Sequence, residues 1–87
     1  MKKRITLSDL ENRLFDLNES RGTPLRPYSP SGDKGFRSNV GNYHLSQAYG
    51  GCNVHQIVND VGGVKEPAGS GHVTKRECLK RINSLFY

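Results

Sequence analysis

The stretch Cys-Asn-Val-His-Gln-Ile-Val-Asn-Asp-Val-Gly-Gly, residues 52–63, decides the fold class, because its pattern suits either a helix or a strand. Apolar residues recur in it at three- and four-residue spacings, as on one face of a helix, at Val54, Ile57, Val58 and Val61. The glycine pair that follows is a typical helix stop. The β-branched side chains would equally suit a buried strand. We expect a helix over residues 53–61, with a strand as the alternative.

The segments on either side have clearer helical patterns. Near the N-terminus four leucines share one helical face, at Leu7, Leu10, Leu14 and Leu17. Ser8 with Glu11, and Thr74 with Glu77, have the spacing of a capping box, in which a hydroxyl and a carboxylate satisfy free amides of the first turn. These patterns predict helices over residues 9–19 and 75–86.

Length and composition allow one small domain over residues 1–87. Only 33% of the residues are hydrophobic and there is no tryptophan, so the core must be thin. Such domains are often stabilised further by a metal, a partner or a second copy, so a homo-oligomer is one expectation. We predict a mainly α fold, a three-helix domain with long irregular loops, to which a short strand pair near Tyr43 could be added.

Residues 21–39 have the composition of an extended basic loop. Three prolines, which cannot donate backbone hydrogen bonds, break this segment at Pro24, Pro27 and Pro30. Cations alternate there with aromatic residues, at Arg26, Tyr28, Lys34, Phe36 and Arg37. Arginines and aromatic rings together can stack nucleic-acid bases or anchor a protein interface.

The charge balance favours a polyanionic partner. Thirteen Lys and Arg against eight Asp and Glu give a net charge of +5. The predicted C-terminal helix carries a basic face, formed by Lys75, Arg76, Lys80 and Arg81. We predict this face as the main nucleic-acid or anion site, with Arg26, Lys34 and Arg37 as a second. The alternative is that these charges only keep the protein in solution.

Two cysteines and three histidines suggest a weaker possibility. If residues 52–61 are helical, Cys52 and His55 lie on one side of the helix, and His72 and Cys78 could complete a tetrahedral zinc site. Buried thiols and scattered surface histidines are the simpler explanation, so we expect no cofactor. The same residues could form a Cys–His nucleophile pair, but nothing in the sequence supplies an orienting group. We predict that the protein is not an enzyme.

Part of the C-terminal half resembles a known group of proteins. The segment Gly41-Asn42-Tyr43-His44-Leu45-Ser46-Gln47-Ala48-Tyr49-Gly50-Gly51, with Val58-Asn59, Gly62-Gly63, Gly71-His72-Val73 and Lys75-Arg76-Glu77, is similar to small bacteriophage proteins of no assigned activity. The resemblance implies expression inside a bacterial host, and a role in binding and redirecting host machinery.

Together these observations predict a non-catalytic phage-type accessory protein that binds nucleic acid or a nucleic-acid-handling host complex. The alternative is a protein–protein inhibitor of a host enzyme or defence complex that uses Tyr28, Phe36 and Tyr49. Charged residues interrupt the apolar run that a signal peptide would need after Met1-Lys2-Lys3-Arg4, so we expect a cytoplasmic location and no membrane partner.

Overall fold

The computed structural model describes residues 4–30, 32 and 35–86, and shows an α+β fold. In chain order its elements are α1 (Leu7–Arg21), β1 (Tyr28–Pro30), β2 (Phe36–Ser38), β3 (Tyr43–Ala48), β4 (Gly51–Ile57), β5 (Val64–Lys65) and α2 (Lys75–Ser84). The prediction of a mainly α, three-helix domain is therefore wrong. The first and last predicted helices are confirmed, as α1 and α2, and the middle one is replaced by a sheet.

Helix α1 begins and ends at residues that satisfy its free backbone groups. Thr6 is the N-cap: its hydroxyl accepts from the Asp9 amide at 3.2 Å, and the Asp9 carboxylate accepts from the Thr6 amide at 2.9 Å. The capping box thus lies two residues before the predicted Ser8–Glu11 pair. At the other end Gly22 takes the left-handed conformation, with a φ of 70°. Helix α2 is capped by Thr74, whose hydroxyl accepts from the Glu77 amide at 3.2 Å, so the hydroxyl half of the predicted capping box is present.

The predicted middle helix is instead strand β4, because it pairs with the residues before it. Strands β3 and β4 form an antiparallel hairpin in which Leu45 lies opposite Val54 and His44 opposite His55. The two-residue turn Tyr49–Gly50 has positive φ at both positions, which matches the twist of a tight hairpin. Of the residues whose three- and four-residue spacing imitates a helix, Val54 is buried opposite Leu45 and Ile57 is buried opposite Val64 of β5. Val58 and Val61 lie beyond the strand and are exposed.

The core lies between the two helices and one face of the β3–β4–β5 sheet. Strand β4 is central, with β3 on one side and β5 on the other. The helices contribute Leu10, Leu14, Leu17, Cys78 and Ile82 to the core, and β4 contributes Cys52 and Val54. Hence the two cysteines are buried on the helix side of the sheet.

A second small hairpin lies within residues 21–39, the segment predicted as an extended basic loop. Strands β1 and β2 are antiparallel, with Ser29 opposite Arg37. The Asn39 amide bonds to the Pro27 carbonyl at 2.9 Å, and the Ser38 amide bonds to the Asp60 carbonyl at 3.3 Å. These bonds hold the hairpin at the end of the main sheet where β3 begins and β4 ends.

Candidate nucleic-acid interface

The first turn of α2 and the β3–β4 turn together form a basic groove. The groove has a volume of about 410 Å³ and is lined by Arg4, Ile5, Gly50, Thr74, Lys75 and Arg76. Three cations from two distant chain segments thus meet beside the N-terminus of a helix, whose free amides also favour anions. Lys75 and Arg76 were predicted from the sequence. Arg4 was not, because only tertiary contact brings it here.

Tyr49 lies beside this groove with its whole side chain in solvent. It precedes the groove residue Gly50, and its exposed fraction is 100%. Tyr49 is also the one described non-glycine residue with a positive φ, at 53°. A bulky residue in this conformation costs free energy. The exposed Tyr49 ring offsets part of that cost through an edge contact with the His72 ring, whose centroid is 6.2 Å away. An exposed aromatic ring on a turn that borders a groove of three cations could stack a base while the cations bind phosphates.

Arg81, predicted as a nucleic-acid contact, is instead used inside the fold. Its guanidinium donates to the carbonyls of Gly69, Ser70 and Gly71 at 3.2, 3.1 and 2.8 Å. It also donates to the side-chain oxygen of Asn53 at 2.9 Å. With those donors engaged by the 69–71 loop, Arg81 holds this loop against β4 rather than offering a free cation.

Asn53 is the centre of that loop anchor. Its side chain is fully buried, and its amide nitrogen donates to Glu66 at 2.6 Å and to the Gly69 carbonyl at 3.0 Å. Its oxygen also accepts from the Val54 amide at 2.8 Å. The loop after β5 is therefore fixed in place, and so is the start of α2 that follows it.

The other predicted cations lie apart from the groove. Lys80 is exposed and forms an ion pair with Glu77 at 3.6 Å. Arg37 is exposed on the β1–β2 hairpin and Arg26 is exposed two residues before it, at the opposite end of the main sheet from Gly50. Lys34 lies outside the described residues. The predicted second basic site thus does not join the first into one surface.

The three histidines of the chain gather on the sheet face that points away from the helices. The ring centroids of His44 and His55 are 5.9 Å apart, and those of His55 and His72 are 6.2 Å apart. Ser46 Oγ lies 3.0 Å from His72 Nε2. Burial, with a smaller effect from His55, lowers the pKa of His44. In the sequence, His44 and Ser46 are two residues apart and would share one face of a strand. This relation becomes visible only once residues 43–48 are known to form a strand of the hairpin.

The four predicted zinc ligands are divided between the two faces of the sheet, with Cys52 and Cys78 on the helix side and His55 and His72 on the other. Residues 52 and 55 are three apart in a strand, so Cys52 points to the helices and His55 to the opposite face. Burial, with a smaller effect from Cys52, raises the pKa of the Cys78 thiol to about 11. Within the described ranges no group of three or more His, Cys, Asp or Glu residues is arranged to hold a metal. The zinc-site prediction depended on a helix that is absent here.

The geometry also bears on the Cys–His pairs considered from the sequence. A protonated, buried thiol is a weak nucleophile. Ser46 and His72 are within hydrogen-bond distance, but among residues 4–30, 32 and 35–86 no carboxylate is bonded to His72 to orient it.

Of the aromatic residues predicted to contact a partner, Phe36 and Tyr28 lie on the β1–β2 hairpin. Phe36 is 74% exposed and Tyr28 is about half exposed. Tyr28 lines a second groove of about 500 Å³ between α1 and β3. Tyr49 belongs to the other end of the sheet, so these three residues do not form one surface.

The geometry described above is the basis for assigning a function, because comparison with known proteins gives no match. No helix in the described part of the chain combines the length and apolar character needed to cross a membrane. No protein-family model, no curated protein and no solved structure matches the chain.

Proposed function

We propose that the protein binds single-stranded nucleic acid, without catalysis, on the surface formed by Arg4, Tyr49, Lys75 and Arg76. The single observation that carries the proposal is the groove in which the three cations meet beside the exposed Tyr49–Gly50 turn. We call this set of four residues the basic groove surface.

Each side chain of this surface has a separate role, which follows from its chemistry. Lys75 and Arg76, with the first-turn amides of α2, bind backbone phosphates. Tyr49 stacks against a base, an interaction available to every base and therefore insensitive to sequence. Stacking requires an unpaired base, so single-stranded nucleic acid is the preferred ligand.

The experiment is a fluorescence-anisotropy titration of a labelled oligothymidylate of roughly twenty nucleotides at several salt concentrations. Three phosphate contacts predict a slope of log K against log salt of about −2, since each contact on a single strand contributes about −0.7. The Lys75→Ala, Arg76→Ala double variant removes two of the cations, so the slope should become less steep, at about −0.7.

The matched control is Lys80→Ala, which removes a cation from the same helix outside the groove. We expect it to leave the slope nearly unchanged. Equal effects of Lys80→Ala and Lys75→Ala would show that only total charge matters, and would overturn the proposed surface. So would an affinity that does not change with salt.

The competing proposal is an inhibitor of a host enzyme or defence complex. The observation that favours it is the exposure of Phe36 on the β1–β2 hairpin, since interface hot spots are often aromatic. In this case Phe36→Ala weakens capture of a purified host partner, while oligonucleotide affinity does not change. Binding would also depend only mildly on salt.

A further inference from the structure

The outer edge of β3 is an open sheet edge. The Cys52 amide and carbonyl both bond to Val73 at 2.8 Å, so these groups point away from β3. Cys52 lies opposite Gln47, and the backbone groups of such a pair point outward on both strands. By the alternation of an antiparallel ladder, Tyr43 and Leu45 also direct their amide and carbonyl outward.

One of these three positions already has a partner. The side chain of Asn18, buried in the end of α1, accepts from the Tyr43 amide at 2.8 Å and donates to the Tyr43 carbonyl at 2.9 Å. Asn18 therefore acts as one residue of a neighbouring strand. At Leu45 and Gln47 nothing within the described residues takes that place, so two amides and two carbonyls remain free.

These free groups lie in a groove that suits an extended chain. The groove of about 500 Å³ runs between α1, the outer edge of β3 and residues 25–28. Its walls carry the half-exposed apolar side chains of Phe15, Leu25 and Tyr28. Apolar walls beside a free strand edge are the features that bind a peptide by strand addition, where the main chain gives affinity and pockets select side chains.

The charge in the groove indicates the chemistry of the occupant. Glu11 is the one Asp, Glu, Lys or Arg among the residues that line it, in a chain whose net charge is +5. The neighbouring histidine, His44, is biased toward its neutral form by burial. A segment with a Lys or Arg near Glu11 is therefore favoured over an acidic one.

We infer that the β3 groove binds an extended peptide segment of a partner protein, which adds to the sheet as a fourth strand beside Leu45 and Gln47. The segment places apolar side chains at alternate positions against Phe15 and Tyr28, and a basic residue near Glu11. This site runs along the outer edge of β3 and shares no residue with the basic groove surface, and it does not depend on nucleic-acid binding.

A second copy of the chain is a poorer occupant. The free edge borders the groove, beside α1 and residues 25–28. In a symmetric dimer through this edge, α1 and residues 25–28 of both copies would have to fit beside the paired strands. A single extended strand can enter, because its edges are not covered.

The test begins with a displayed library of random dodecapeptides selected against the whole protein. We expect enriched peptides with alternating β-branched or aromatic residues and a Lys or Arg. On binding, the backbone amide signals of Leu45 and Gln47 shift in nuclear magnetic resonance spectra, and their hydrogen exchange slows. No enrichment, or enriched peptides that leave both amides unaffected, overturns the proposal.

Two matched comparisons test the hydrogen bonding itself. Gln47→Pro removes an outward amide without removing a β3–β4 bond, and proline is tolerated at a strand edge; Gln47→Thr keeps the amide. We expect a loss of affinity of about tenfold for the proline variant and little change for threonine. The spectrum of each variant shows whether the fold is kept.

The second comparison leaves the protein unchanged and so does not depend on a variant folding. The selected peptide is N-methylated at alternate amides, either on the edge that faces β3 or on the opposite edge. Binding should be lost only for the first set. Equal effects of both sets, or a dimer through β3 detected by sedimentation, would overturn the inference.

Discussion

Replacing Tyr49 with asparagine should make the protein more stable and a weaker binder of nucleic acid at the same time. The Tyr49–Gly50 turn has φ values of 53° and 74°, and Asn-Gly is the preferred pair for such a turn. Asparagine enters the left-handed region more readily than a bulky aromatic residue, which suggests a gain of about 1 kcal/mol. The Tyr49 side chain is fully exposed, so the packing lost in return is limited to the edge contact with the His72 ring, with centroids 6.2 Å apart.

Urea unfolding followed by circular dichroism measures the gain in the free energy of unfolding. In thermal unfolding, a gain of this size would raise the melting temperature by about 4–8 °C in a domain of this length. Anisotropy with oligothymidylate measures the second effect. Loss of one stacked base costs about 1–3 kcal/mol, which corresponds to a decrease in affinity of roughly 5- to 150-fold.

The control is Tyr49→Phe, which keeps both the ring and the strained backbone and should change neither quantity by much. A Tyr49→Asn variant that is less stable than the wild type would refute the account of the turn. A more stable variant with unchanged oligonucleotide affinity would refute the role of the ring and would leave the account of the turn intact.

Three further predictions concern groups inside the fold. Asn18→Ala leaves the Tyr43 amide and carbonyl without their partner and should lower the free energy of unfolding by about 2–3 kcal/mol; an unchanged urea midpoint would contradict this. Arg81→Ala should cost about 2 kcal/mol and speed hydrogen exchange in residues 66–71 without changing the salt slope of oligonucleotide binding, whereas a changed slope would return Arg81 to the binding surface. The lowered pKa of His44 means that the unfolded chain takes up its proton first as the pH falls, so this histidine should lower stability as the pH falls below about 6.5 and contribute little pH dependence around neutral pH. Urea titrations across this range test the sign, and His44→Phe, which cannot titrate, should decline less steeply than the wild type.

Both helices could be predicted from the sequence because their signals are local. The leucine spacing of α1, its glycine stop and the Thr74 cap of α2 all act within a few residues of the chain. Even so, the capping box of α1 was predicted at Ser8 and lies at Thr6, because both residues carry a hydroxyl that can cap a helix. Only the backbone conformation at residue 6 selects between them.

The candidate site could be predicted in part. Lys75 and Arg76 were identified because charge at the start of a helix is visible in a sequence. Arg81 was assigned to the same surface because a helical repeat does not show what lies beside it. Its role became clear only with the 69–71 loop and Asn53 in place.

What the sequence by itself determined, then, is the pair of helices, the thin core and the excess of positive charge. The tertiary structure decided that residues 52–57 form a strand, since that depends on pairing with residues 43–48 across the Tyr49–Gly50 turn. The same pairing gathered the histidines on one face, separated them from the cysteines and left an open edge at β3. Cross-strand contacts join residues that no local pattern relates, and for these β-branched side chains the free energy of pairing outweighs the weak preference of any short segment.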